Sequence, residues 1–279
     1  MKIAKLCSTN IFVISFGLVG ASYAHAACTP AHQFATIRPG TLTVTTTAYQ
    51  PFDNVDGSGQ FVGIDADILR KIAEKECVQI KPQLVDAAAA IQYVVAGKAD
   101  MSSGSWYRTA ARAKVMGIAD PLYLELMGIY SKQGFSKLSE LQGKSVGTVQ
   151  GYLWVAELQS LFGENLKLYP NALAMAQDLE AGRIETAVDT YNAGLDAQRK
   201  GGFKGFKVMA AQPDSRVASS VRPAQIGFLY TKDNTALGAA LNDDIDEMQK
   251  KGEIGGILHA YGLNPDSAKT GAPRYADEK

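Results

Sequence analysis

Few side chains in this sequence are placed to make or break covalent bonds. There are three His and three Cys among 279 residues. His32 lies near the N-terminus and His259 in the last helical segment, so neither suits a Ser–His–Asp triad. No G-x-S-x-G elbow is present. Gly143-Lys144-Ser145 ends like a phosphate loop, but Leu138 stands where the first glycine is needed, and the segment runs into a strand. Asp189 and Glu125 are acids that general acid–base chemistry could use, yet nothing around either singles it out. Arg112 is the most specific chemical group. A guanidinium offers a planar fork of donors that fits a carboxylate bidentately and keeps its charge. Its neighbours Arg108 and Lys114 equally suit a solvated helix face, and the residues alone leave both readings open. Trp106, Tyr107 and Tyr49 could hold a cation against their rings or simply pack.

The elements that position these groups come from an ordinary globular composition. Hydrophobic residues make up 46% and charged residues 20%, with 28 basic and 28 acidic side chains. This balance excludes collagenous, coiled-coil and largely disordered chains. It also argues against a nucleic-acid partner, which calls for a basic excess. The length suggests two domains.

Residues 1–26 read as a secretory signal peptide. Lys2 and Lys5 give a positive start, residues 11–21 are apolar or small, and Ala24-His25-Ala26 is an A-x-A cleavage site. A signal anchor, or a lipoprotein through Cys28, is the alternative. Cleavage leaves 26 basic and 28 acidic residues, net −2, and two cysteines. An even count in an exported protein favours a disulfide between Cys28 and Cys77, with two free thiols as the alternative. Two His and two Cys do not make a zinc site, and no metal or cofactor is expected.

Residues 27–37 read as a leader, 41–47 as a strand broken by Tyr49-Gln50-Pro51-Phe52, and 61–64 as a short strand after an Asp-Gly-Ser-Gly turn. Ile64, Ile68, Leu69, Ile72 and Ala73 form a helical core stripe. A strand follows at 78–84. Then one pattern occurs twice. A helix over 90–95 ends at Gly97 before Lys98-Ala99-Asp100, and a helix capped by Asn171, with Leu173, Met175 and Leu179, ends at Gly182 before Arg183-Ile184-Glu185. The two lie 85 residues apart, which suggests two similarly built α/β lobes. Strands are expected at 144–149 and 226–230 and a helix at 152–161. Leu237, Leu241, Ile245 and Met248 form another stripe, and a short helix runs on to Leu258. Such alternation argues for mixed sheets flanked by helices, with ligands at strand ends between domains.

Four stretches resemble family 3 of the extracellular solute-binding proteins. They are Tyr49-Gln50-Pro51-Phe52; 61–68, from Phe61 to Ile68; 109–113 with Asp120-Pro121-Leu122-Tyr123; and 141–147. They occur in the family's order over roughly residues 40–263. The resemblance implies a two-lobed, type II periplasmic-binding-protein-like α/β fold with two hinge strands. Lobe 1 would span 38–126 plus 227–265, lobe 2 127–226, and 266–279 would be a flexible tail. It implies a monomeric periplasmic receptor that captures an amino acid or related small carboxylate and delivers it to the permease of an ABC importer. Such a receptor catalyses no reaction, so no catalytic residues are expected. A dehydratase-like cleft enzyme and a sensor subunit are the competing functions.

The resemblance also implies the site. Arg112 falls on the family's carboxylate-gripping Arg. Ser105, with the backbone of Gly104, falls at the strand end that meets the ligand's charged groups. Tyr49 and Phe52 fall on the aromatic wall. Gly151 and Tyr152 fall where a helix N-terminus presents N–H groups. Several positions depart from the family. Tyr107, after Trp106, stands where many members have Ser or Thr. Ala87 to Ala90 lack the usual aromatic, and Thr46 replaces an acid found in some receptors for basic amino acids. The position of the acid that pairs with the ligand's ammonium falls on Thr190, with Asp189 one residue early. Asp189 is the expected ligand, provided a bulge restores the register. These changes imply a reshaped pocket for a bulkier or modified solute.

Overall fold

The computed structural model describes residues 28–278, so the expected signal peptide lies outside the described residues. Two five-stranded mixed sheets organise the chain. The first runs, in spatial order, Gln79–Leu84, Thr41–Thr46, Met101–Ser102, Leu229–Tyr230 and Gly117–Ile118. Its first three strands are parallel, and Leu229–Tyr230 is antiparallel to both of its neighbours. The second runs Leu166–Tyr169, Val146–Val149, Thr186–Thr190, Met127–Ser131 and Lys207–Ala210, again three parallel strands followed by two antiparallel joins. The expected repeat is therefore a repeat of sheet construction. Each parallel pair is bridged by a helix that covers one face, as crossover connections require.

Helix Ile64–Lys75 buries Ile64, Ile68, Leu69, Ile72 and Ala73, as its periodicity requires. It packs in one core with Leu42, Val44, Met101 and Phe228, and with Leu237, Leu241 and Ile245 from helix Thr235–Lys250. The second sheet has separate cores on its two faces, one around Trp154 and Ile129, the other around Tyr130, Met175 and Leu179. Two short strands, Leu124–Glu125 and Ala224–Gln225, pair antiparallel where the chain passes between the sheets.

Three elements differ from expectation. The helix after Leu84 begins at Ala87, because the Asp86 side chain caps it by accepting from Ala89 N–H at 2.8 Å. Helix Ala172–Glu180 is capped by Asn171 and buries Met175 and Leu179, but Leu173 is 68% exposed. The segment after 265 is not a free tail. Pro265–Ala268 is a 3-10 turn, and Gln225 Nε2 donates to the carbonyls of Thr270 and Ala272. Arg274 N–H donates to Gln225 Oε1, and Asp277 caps the short helix Ala110–Ala113 by accepting from Ala110 and Ala111 N–H at 2.6 and 3.1 Å.

The N-terminal leader is also fixed. Cys28 and Cys77 form a disulfide with Cα atoms 5.7 Å apart. Glu76 accepts from both His32 N and His32 Nδ1 at 2.8 Å. His32, Glu76 and Asp244 are the described cluster with metal-ligating side chains. Its acids are already engaged, Glu76 by His32 and Asp244 by Lys75 Nζ at 2.5 Å.

Candidate functional site

A cavity of about 450 Å³ opens between the two sheets. From the first lobe it is lined by the turn after Thr41–Thr46, by Gly104 to Tyr107 after Met101–Ser102, and by Arg112. From the second it is lined by Val149, Gly151 to Leu153, Pro170 to Leu173, and Thr190. These are strand ends and the turns beyond them, as expected of α/β sheets. A larger groove of about 710 Å³ lies on the outer face of the first lobe, between the last two helices and residues 265–273. It is not between the sheets and gathers none of the expected site residues.

Arg112 sits on helix Ala110–Ala113, whose first turn is held by Thr109 Oγ1 and Asp277. Its guanidinium lies over the Trp106 ring, 5.1 Å from the centroid, and Nη1 donates to Tyr107 O at 2.6 Å. Burial pulls its pKa down from the ordinary value, with Tyr107 and Asp277 as the opposing anionic influences. Among the described residues no carboxylate forms an ion pair with it.

Ser105 has φ +50° and Gly104 φ +148°. A Cβ on Gly104 would lie 3.2 Å from both Thr47 Oγ1 and the Trp106 ring, so the turn needs glycine. The N–H groups of Gly104 and Ser105 point away from the cavity and donate to Asp65 Oδ2 at 3.2 and 2.9 Å. Ser105 Oγ is buried with no hydrogen-bond partner of good geometry; the adjacent Tyr123 hydroxyl donates to Asp65 Oδ1 at 2.6 Å. Asp65 and Asp53 form a buried acid pair beneath this floor. Burial raises both carboxyl pKa values, and for Asp53 the charge on Asp65 adds to the rise.

The lobes meet across the cavity. Tyr49 OH lies 2.8 Å from Thr190 Oγ1, and Tyr107 and Trp154 rings are 6.4 Å apart. Lys200 Nζ donates to Gln50 Oε1 at 2.5 Å, and Arg199 to Tyr261 O. The structure thus brings together seven expected residues: Tyr49, Gly104, Ser105, Tyr107, Arg112, Gly151 and Tyr152. Two it does not. Phe52 is fully buried, stacked on Tyr123 at 5.7 Å behind Tyr49. Asp189 does not line the cavity; Thr190 does. The strand pairs regularly here, Asp189 with Gly128 and Thr190 with Met127, so no bulge swaps them. Burial pushes Asp189 up to about 6, against the Thr190 N–H and the Tyr152 hydroxyl that bond it.

Gly151 and Tyr152 also act differently from expectation. The helix begins at Val155, and Tyr152 N–H donates to Val149 O at 3.4 Å. Tyr152 thus lines the cavity from a turn, not from a helix N-terminus. Sequence reasoning missed Leu153 and the Pro170–Leu173 corner. The sequence groups Leu173 with Met175 and Leu179 as core, but it lies two residues before Met175 and so off the face that carries the buried pair.

Two sheets of equal construction around a ligand-sized interlobe cavity define a two-lobed solute-binding protein. The family model for bacterial extracellular solute-binding proteins, family 3, matches residues 42–264, and the chain belongs to this family. It is 25% identical over 248 residues to the histidine-binding periplasmic protein of Escherichia coli K12, covering 82% of this chain and 89% of that protein. Among solved structures, an ancestral arginine-binding protein bound to arginine is 26% identical with a TM-score of 0.67, covering 80% of this chain and 98% of that one. The arginine-, lysine-, histidine-binding protein of Geobacillus stearothermophilus, 18% identical with a TM-score of 0.68 over 82% of this chain and 99% of that one, shares the fold.

Proposed function

We propose that this protein captures an amino acid or related small carboxylate between its lobes and delivers it to the membrane permease of an ABC importer. One observation carries the reading: Arg112, half-buried, presents its guanidinium to the interlobe cavity, and among the described residues no carboxylate forms an ion pair with it. A ligand carboxylate completes that pair. Ser105 Oγ, the unpaired hydroxyl on the same wall, is a second donor. Tyr49, Tyr107 and Tyr152 enclose the solute, and Phe52 supports Tyr49 from behind, their rings 5.3 Å apart.

The protein performs no chemistry on its ligand. Glu125 and Asp189, the buried acids near the lobe junction, are held by Asn192 and Thr190 and do not line the cavity. The lobes are 38–126 plus 227–265 and 127–226, a division supported by the strands each sheet recruits. Residues 124–128 and 225–229 are the hinge, and closure selects the state in which both lobes grip the solute. The protein works in the periplasm after cleavage behind Ala26. The Cys28–Cys77 disulfide suits that oxidising compartment.

The test is a thermal-shift screen of refolded, solute-free protein against amino acids and small carboxylates, with Arg112→Ala beside it. A ligand at a hundredfold excess over its Kd stabilises the native state by about 2.7 kcal/mol. A shift from one carboxylate class, lost in a still-folded Arg112→Ala, is expected. No shift from any carboxylate overturns the reading.

A further inference from the structure

Resting on the lobe-closing reading above, we propose that residues 270–278 form a strap that positions the Arg112 helix and favours the closed arrangement of the lobes. The segment lies beyond residues 42–264, which the family model matches. It joins three parts of the molecule: the helix that carries Arg112, the hinge strand Ala224–Gln225, and the edge of the second lobe at Arg222.

The hinge end is built in. Gln225 is buried, and each bond of its carboxamide goes to the strap. Nε2 donates to Thr270 O and Ala272 O at 2.9 and 2.8 Å, and Oε1 accepts Arg274 N–H at 2.8 Å. A buried amide stripped of such partners is costly. The Gln225 carbonyl also accepts Arg108 N–H at 2.9 Å, and Arg108 O accepts Ala276 N–H at 2.8 Å. The Arg108 guanidinium lies over the Tyr275 ring, 5.6 Å from its centroid. Arg108 leads into the Arg112 helix, whose first N–H groups Asp277 caps. The strap thus fixes Arg112 through both the approach to its helix and the cap.

The other end reaches the second lobe by looser contacts. Arg274 Nη2 donates to Pro223 O at 2.5 Å, and Arg222 Nη2 to Glu278 O at 2.7 Å. Arg222, Asp277 and Glu278 are exposed. A groove of about 430 Å³ lies between residues 276–278 and Leu153, Glu157 and Ala218 of the second lobe. Exposed contacts of this kind open more readily than buried ones. Rotation about residues 225–229 would part Arg222 and Pro223 from Arg108 and Ala110. The strap therefore holds both sets of partners only while the lobes are closed. A contact made only in the closed state raises its population, and with it the apparent affinity for solute.

Interlobe distances between spin labels test this without any solute. Gln92→Cys and Gln177→Cys place labels at exposed positions on the two helices whose first residues, Ala87 and Ala172, line the cavity from opposite lobes. Distances are read by pulsed electron resonance in the refolded mature chain, in a chain ending at Gly271, and in Arg274→Ala with Asp277→Ala. The double variant keeps the whole main chain and carries the test where the shortened chain does not fold. Each undocked form is expected to lower the ratio of short- to long-distance populations by about fivefold or more, a usual coupling between sites. Equal ratios in the mature chain and a folded variant overturn the strap and leave the lobe-closing reading standing. One fixed distance in all three, with no second population, overturns lobe closing as well.

Discussion

The first lobe meets the cavity with side chains on restrained turns, whereas the second meets it mainly with a corner of apolar residues and a hydroxyl. Arg112, Ser105 and Trp106 follow a short parallel strand and are fastened from behind by Asp65, Thr109 and Asp277. The same lobe carries the disulfide and the C-terminal segment. On the other side, among the described residues, Leu153 and Leu173 have no such charged bonds, and Thr190 has one, its N–H donating to Asp189 Oδ1 at 2.7 Å. Identical sheet orders thus support unequal duties. In the proposed site one lobe holds the anion and the other covers it, and the two parts should answer differently to mutation.

Core truncation should show the largest effect. Phe52→Ala removes a fully buried ring between Tyr49 and Tyr123, and should cost about 3–5 kcal/mol in denaturant unfolding. Next is Arg112→Ala. Losing a charge-assisted pair should cost about 1.5–3 kcal/mol of binding free energy in calorimetry, or roughly tenfold to more than a hundredfold in Kd. Thr190→Val, on the opposite wall, should change Kd by less than about fivefold, one neutral hydrogen bond. Comparable losses from both would erase the contrast between the lobes.

The C-terminal segment gives a finer test. Asp277→Ala removes the acceptors that cap the Arg112 helix without facing the solute. It should cost about 0.5–2 kcal/mol of stability and raise Kd, read by thermal unfolding and calorimetry. Unchanged affinity would separate the segment from the site. A pH effect is also expected, to which the first lobe's acid pair contributes alongside Asp189 and Glu125, whose carboxyls burial likewise raises. Asp53 and Asp65 have pKa values raised by burial, so the folded chain holds protons that the unfolded chain releases. Stability should decline as pH rises from about 4 towards neutrality. Asp53→Asn should flatten that slope in urea titrations run at several pH values.

Much of this arrangement was readable in the sequence, and the failures have physical causes. The stripe Ile64, Ile68, Leu69, Ile72 declared its helix because one face is buried in a single core. Asn171, Gly97 and Gly182 marked helix ends through local backbone chemistry that needs no tertiary partner. Asp189 is the expected ligand because an acid is sought at that strand end; the regular register puts Thr190 on the cavity wall and Asp189 behind it, against the Tyr152 hydroxyl. Tyr152 was placed at a helix start that lies three residues later, after a turn whose bonds are not patterned in the sequence. The C-terminal residues looked free because their anchors, Gln225 and the helix before Arg112, are distant in the chain.

The most direct test of the central claim is a crystal structure with the best-binding carboxylate in place. The account predicts both carboxylate oxygens on the Arg112 guanidinium at about 2.7–2.9 Å, with Thr190 and Leu173 closing over the body. A solute seated elsewhere, or in the cleft with its carboxylate turned away from Arg112, would contradict it.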